Sequence, residues 1–444
     1  MKIIKIKLFC LVLFPSIVGK IIAQNSPVQS LTLQEVVQAT LENHPQLKLN
    51  EQEVRLRESE WGRSKTQRLP TASVQMTVGY QGNTTLLDKK WQKETTLKNL
   101  HLNHSIQVTA NQTLYKGKQI NLDIKEQALS HFLAQLDLEQ QQLDLELEVS
   151  KYYLNLYREE LLESIYIKNK ELAEERLALI QKYLEKGMVT KDEVLLAELQ
   201  ISDIELKQQQ NDADQQAIQK ELRLAMGDET ITLTTRAFAI EFEQTFLKQE
   251  AYYMEEAREK SVVLQKGEEY FKLQGLGLQK EKANRWPELY AFIQTSTDRP
   301  VRTTTPQLDI YTNTWQMGLG IRYDLTKLYT AKKREKPLEI QVEIAKQQQS
   351  YAKQQLEKDI AQGYLQVKLK LSQRKQLQQA LEQAKENYRI IQEKYLAQLV
   401  LYLDVYNASN ILLETELKVA NNDAELLYST LYLSYLVGDL NTLK

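Results

Sequence analysis

The stretch TASVQMTVGY, residues 71–80, alternates Ala72, Val74, Met76, Val78 and Tyr80 with Ser73, Gln75, Thr77 and Gly79. A period of two puts the apolar set on one face of a strand and the polar set on the other. Three further runs read the same way. Over 105–114, Ile106, Val108, Ala110 and Leu114 share a face. Over 288–296, Tyr290 and Phe292 stand on one side, although Leu289, Ala291 and Ile293 blur the alternation. Over 315–325, Trp315, Met317, Leu319, Ile321, Tyr323 and Leu325 alternate with Gln316, Gly318, Gly320, Arg322 and Asp324.

Almost everything else has helical composition, rich in Gln, Leu, Glu and Lys. Residues 31–68 predict two helices broken at Pro45, with Thr32 and Glu35 at capping-box spacing. Residues 82–100 are polar and read as a long loop carrying Trp91. Helix then runs from 118 to Gly187 without a breaker, a rod on the order of 100 Å. Gly187 suits a helix C-cap and Thr190 an N-cap with Glu193 at capping-box spacing, so a second helix runs antiparallel to Met226. Residues 228–248 read as a connecting, partly extended segment.

The order then recurs. A helical stretch ends in Arg285-Trp286-Pro287 as the first ends in Arg68-Leu69-Pro70. Two strands, a polar loop and a helical hairpin over 330–437 follow, with a break near 397–401. Gly438-Asp439 closes the second copy as Gly227-Asp228 closes the first. A period near 210 residues is too long for a solenoid and indicates duplication. The expected organisation is a first repeat over 24–227, the connecting segment, and a second repeat over 249–444.

The charges nearly cancel, 57 basic against 59 acidic, which argues against a nucleic-acid partner. Residues 1–23 read as a secretory signal: Lys2, Lys5 and Lys7 precede an apolar core, and Ala23 offers a cleavage point. Cys10 lies inside it, so the exported chain would carry no cysteine chemistry. No other segment has the ~20 apolar residues of a membrane-spanning helix.

Four strands with an apolar face can cover a helix in an ordinary α+β core or cross a bilayer. The bracketing rods leave little mass to cover them. Tyr80, Trp286, Tyr290, Trp315 and Tyr323 sit where interfacial aromatics belong, and about ten residues of tilted strand span a membrane. Lipid tolerates no open sheet edge, and four strands cannot close a barrel, so a spanning chain must oligomerise. Two copies close a small filled barrel and three leave room for a channel.

On the duplicated order, the entries at Pro70 and Pro287 and the two tips, the chain resembles TolC-family outer-membrane efflux ducts from about residue 31 to 440. The resemblance implies a mainly α protomer with a small transmembrane β part. It implies a homotrimer with a shared 12-stranded β-barrel in the outer membrane and an α-helical barrel in the periplasm. It also implies a passive conduit, not an enzyme, without cofactor or metal. A periplasmic adaptor would couple it to an inner-membrane pump. Gly187, Met188, Val189 and Thr190 match the family's adaptor-docking turn, and Gln398, Leu399 and Val400 stand at the second tip, which lacks the glycine. Asp404 keeps the first acidic position of the family's periplasmic constriction, and Asn407 replaces the second. A periplasmic coiled-coil adaptor is the alternative, but it would carry one hairpin between compact β domains.

No catalytic constellation appears. His101 and His104 fall in the loop before the second strand. Gly275-Leu276-Gly277 has helical surroundings and no preceding strand, so it reads as permitting close helix packing and not as a phosphate loop.

Overall fold

The computed structural model describes residues 28–228, 231–236, 247–301, 304 and 307–440. The segment read as a secretory signal and parts of the one read as connecting lie outside these. After a short strand β1 (Val28–Leu31), Thr32 caps α1 (Leu33–Asn43): its hydroxyl accepts from Glu35 N–H at 3.3 Å, and Glu35 accepts from Thr32 N–H at 2.7 Å. Pro45 opens α2 (Pro45–Lys65), where its missing N–H costs nothing.

The chain then enters β2 (Thr71–Tyr80). The region read as a loop contains a hairpin, β3 (Thr84–Leu87) and β4 (Lys93–Leu97). Its turn is held by polar side chains: Asp88 Oδ1 accepts from Lys90 N–H and Gln92 N–H, both at 2.8 Å. Asn99 ties the base to Gly82 O at 2.9 Å and Thr84 Oγ1 at 2.7 Å. Strand β5 (Leu102–Lys116) returns to the helices. It turns at Gly117, whose φ is +57° and where a Cβ would strike Ala283 O and come 2.9 Å from Trp286 Cβ.

Helices α3 (Gln119–Glu185) and α4 (Lys191–Met226) form the first hairpin. Strand β6 (Thr232–Thr235) then pairs in parallel with β1. The second half runs through α5 (Glu250–Lys260), α6 (Val262–Ala283), β7 (Glu288–Arg299), β8 (Thr312–Arg322), α7 (Thr326–Leu396) and α8 (Tyr402–Val437). The break between α5 and α6 at Ser261 repeats the one between α1 and α2 at His44. Each hairpin ends in a left-handed glycine set against that break. A Cβ on Gly227 would lie 3.3 Å from Asn43 Cβ, and one on Gly438 would lie 2.8 Å from Lys260 O. By contrast, a Cβ on Gly275 or Gly277 meets nothing within 4 Å, so these glycines do not serve close packing within the protomer.

The main sheet has the order β2-β5-β7-β8, antiparallel throughout. Its register pairs Val74 with Val108 and Met76 with Ile106, and pairs Ala291 with Leu319 and Ile293 with Met317. One face is therefore mainly apolar, interrupted at Thr295, Thr297 and Asn313, and it is bare: Val74 is 72%, Met317 70% and Ile321 75% exposed. The register sets Tyr290 opposite Gly320 and Phe292 opposite Gly318, on the other face. Tyr290 thus does not belong with the outward aromatics Trp315 and Tyr80; its ring lies over a glycine, with the Arg322 guanidinium 5.1 Å away. The two outer edges, β2 and β8, pair with no other strand among the described residues.

The core sits at mid-length of the rods. Val149, Tyr153, Leu156, Leu222 and Leu427 are almost fully buried where α3, α4 and α8 meet. Each such side chain contributes roughly 1.5–3 kcal/mol. The Tyr153 hydroxyl donates to Leu31 O at 2.8 Å and accepts from Arg236 N–H at 3.1 Å, joining the β1–β6 pair to the rods.

Candidate functional site: the hairpin tips

Two turns end the rods, and they are built alike. At the first, Gly187 N–H bonds Leu184 O and Met188 N–H bonds Tyr183 O, both at 2.9 Å, with Gly187 at φ +71°. At the second, Gln398 N–H bonds Tyr395 O at 2.9 Å and Leu399 N–H bonds Lys394 O at 2.8 Å. Gln398 takes φ +60°, so the second tip has the geometry of the first without the glycine. A side chain in this region costs about 1 kcal/mol, which the paired helices hold in place.

After each turn one apolar residue points out and the next points in. Met188 and Leu399 are exposed. Val189 and Val400 pack on a shared core of Ile180, Val194, Ala197, Tyr395, Tyr402 and Val405. The core contains both hairpins, so each tip is held by the other.

Polar groups reinforce it. Thr190 occupies the N-cap of α4, but its side chain makes no capping bond. Glu193, expected to complete a capping box there, instead accepts from the Tyr395 hydroxyl of the other hairpin at 3.3 Å. Two turns along, the buried Gln200 accepts from Tyr402 Oη at 3.1 Å and donates to Ser409 Oγ at 2.7 Å. The Tyr395 and Tyr402 rings lie 5.9 Å apart. Burial pushes the Glu193 carboxyl above the usual carboxylate range, more than the hydrogen bond from Tyr395 lowers it. Burial also raises the Tyr395 and Tyr402 phenols.

Asp404 occupies the position in α8 that Glu193 holds in α4, yet it stays exposed and accepts from Leu401 N–H at 3.1 Å. A carboxylate there complements the helix N-terminus. Asn407, one turn on, is also exposed, on the side of α8 away from the buried Val405 and Ser409. Neither Gln200 nor Tyr402 stands out in the sequence. Their signal is positional only: they follow Val189 and Leu401 into a helix whose buried row they share.

His101 and His104 lie at the far end of the sheet, His104 within β5 and not in a preceding loop. His101 stacks on Tyr80 at 5.1 Å and meets Gln81 O at 2.8 Å, while His104 meets Tyr311 Oη at 3.2 Å.

The arrangement of sheet and paired rods is shared with solved outer-membrane channels. The chain superposes on the solved structure of CusC with a TM-score of 0.80, at 13% identity, over 92% of either chain. For the outer-membrane channel OprN the TM-score is 0.79, at 14% identity, over 91% of this chain and 89% of that one. For VceC from Vibrio cholerae it is 0.76, at 14% identity, over 92% and 97%. At these identities the likeness is one of fold. No curated protein matches the sequence. Residues 36–228 match the profile of the outer membrane efflux protein family. That match covers just under half of the chain, and the fold over 92% of it is shared with the solved structure of CusC.

Proposed function

We propose that three copies assemble into the exit duct of a tripartite efflux or type I secretion system. The observation that carries this is the pair of like-built tips locked to each other by Tyr395 and Glu193, at the opposite end of the rods from the bare sheet. Pairing β2 of one copy with β8 of the next removes every open edge that lipid would penalise. The exposed Met188 and Leu399 offer apolar contacts to a periplasmic adaptor, which connects the duct to an inner-membrane pump. Docking there spreads the hairpins by competing for the shared core, and the duct opens. Asp404 places one carboxylate per copy at the entrance, which favours cations.

The test is crosslinking to a periplasmic adaptor produced in the same cells. Substituting Met188 and Leu399 by lysine is expected to weaken capture while leaving assembly intact. Unchanged capture would remove the tips from the docking surface.

A further inference from the structure

The start of α7 has a face that neither the duct nor its tip uses. Leu325, Leu328 and Tyr329 are 66%, 64% and 73% exposed, directly below the apolar row of β8. Lys332, Lys333 and Lys336 follow on the same side and are exposed. At 3.6 residues per turn these six lie within about 140° of one another. Ala331 and Glu335, both buried, border the stripe on the side of Leu328. The stripe is thus apolar for one turn next to the sheet and basic for the next turn and a half.

We propose that this stripe binds an anionic phospholipid headgroup of the periplasmic leaflet, with the lysines on the phosphate and Leu328 and Tyr329 against the acyl region. The proposal rests on the placement of the sheet in the outer membrane. Two observations single out lipid as the occupant. The stripe continues the lipid-facing row of Trp315, Met317, Leu319 and Ile321 past the strand end without a polar interruption other than the cap at Asp324, whose carboxylate accepts from Thr326 N–H at 2.9 Å. The charge is also complementary. Lys332 and Lys333 have no acidic partner among the described residues, and Lys336 reaches only Glu339, at 3.7 Å. A second copy is a poor occupant. The upper end of α2, next to the free edge that would face β8, is itself basic, with Arg63 and Lys65 in its last turn. Two cations on the neighbouring helices are taken: Arg285 pairs with Glu335, and Lys280 with Asp123 and Glu126. Tyrosine and lysine at a membrane boundary place an amphipathic ring at headgroup level and a charge beyond it.

The test uses the full assembled protein in detergent, titrated with phosphatidylglycerol or phosphatidylethanolamine and read by native mass spectrometry. Near-surface lysines each strengthen binding of anionic lipid roughly fivefold. Wild type is expected to prefer phosphatidylglycerol by about tenfold or more. The triple variant Lys332→Gln, Lys333→Gln, Lys336→Gln loses that preference. A control triple lower on the same helix, Lys346→Gln, Lys353→Gln, Lys358→Gln, retains it. Equal affinity for both lipids in wild type, or an undiminished preference in the first triple, overturns the proposal. So does amine labelling that finds Lys332 and Lys333 blocked in lipid-free protein, because a second copy then covers them. If the protein does not enter phosphatidylethanolamine vesicles at all, the membrane placement falls with it. Insertion without anionic preference removes the headgroup site alone.

Discussion

The phenolic oxygen of Tyr395 lies 3.3 Å from Glu193 Oε2, and the two residues belong to different hairpins. It is the polar contact nearest the tips that ties one repeat to the other. Tyr395→Phe removes the donor and leaves a half-buried carboxylate short of a partner, at about 1 kcal/mol. The ratio of closed to open duct should fall about fivefold. Larger or more frequent conductance steps in a planar bilayer would register this, and an unchanged trace would remove the contact from the gate.

The same contact carries a pH dependence. Burial raises the Glu193 carboxyl, and the neighbouring Asp192 adds to the rise. The closed tip therefore holds that proton more tightly than a tip whose Glu193 faces water. This contribution to closure is complete below the ordinary carboxylate range and is lost as pH rises through the raised value. Acidification from pH 7 toward about 4.5 should thus reduce conductance more in wild type than in Glu193→Gln. The glutamine still accepts from Tyr395 but does not titrate. Identical pH profiles for the two proteins would refute the assignment.

Gln398 and Gly187 make the same turn at unequal cost. Gln398→Gly should raise thermal stability by a few tenths to about 1 kcal/mol, and Gly187→Ala should lower it by about 1 kcal/mol. Nothing lies within 4 Å of a Cβ at Gly187, so backbone strain alone sets its penalty. Melting followed by circular dichroism would separate the two signs.

Gly320 lets the Tyr290 ring lie against the wall of the sheet. A Cβ there would strike the ring near Cζ and Oη. Gly320→Ala should push the ring into the lumen and lower conductance of an opened duct, and adding Tyr290→Ala should restore it. No rescue by the second change would mean that the ring does not line the lumen.

The strands were legible because alternation is local. Val74, Met76 and Val78, or Met317, Leu319 and Ile321, need no knowledge of their neighbours to be assigned to one face. The rods were legible for the same reason, from the absence of Gly and Pro and from the caps at Thr32 and Gly187. What escaped depended on partners distant in sequence or on polar detail. The β3–β4 hairpin has no apolar period and is held by Asp88 and Asn99. The face of Tyr290 follows from its register with Gly320. Glu193 looked like half of a capping box because its spacing from Thr190 is correct; the buried hydroxyl of Tyr395, some 200 residues on, draws it away instead. Gln398 looked unsuited to its turn, yet the hydrogen bonds to Tyr395 and Lys394 carbonyls fix the same geometry.

In the proposed assembly the four-stranded sheet closes only by sharing its β2 and β8 edges among three copies. Native mass spectrometry of the detergent-solubilised protein tests it directly. One dominant species containing three chains is expected. A species of two chains, which would close a smaller barrel filled by its own side chains, or a stable single chain, would contradict it.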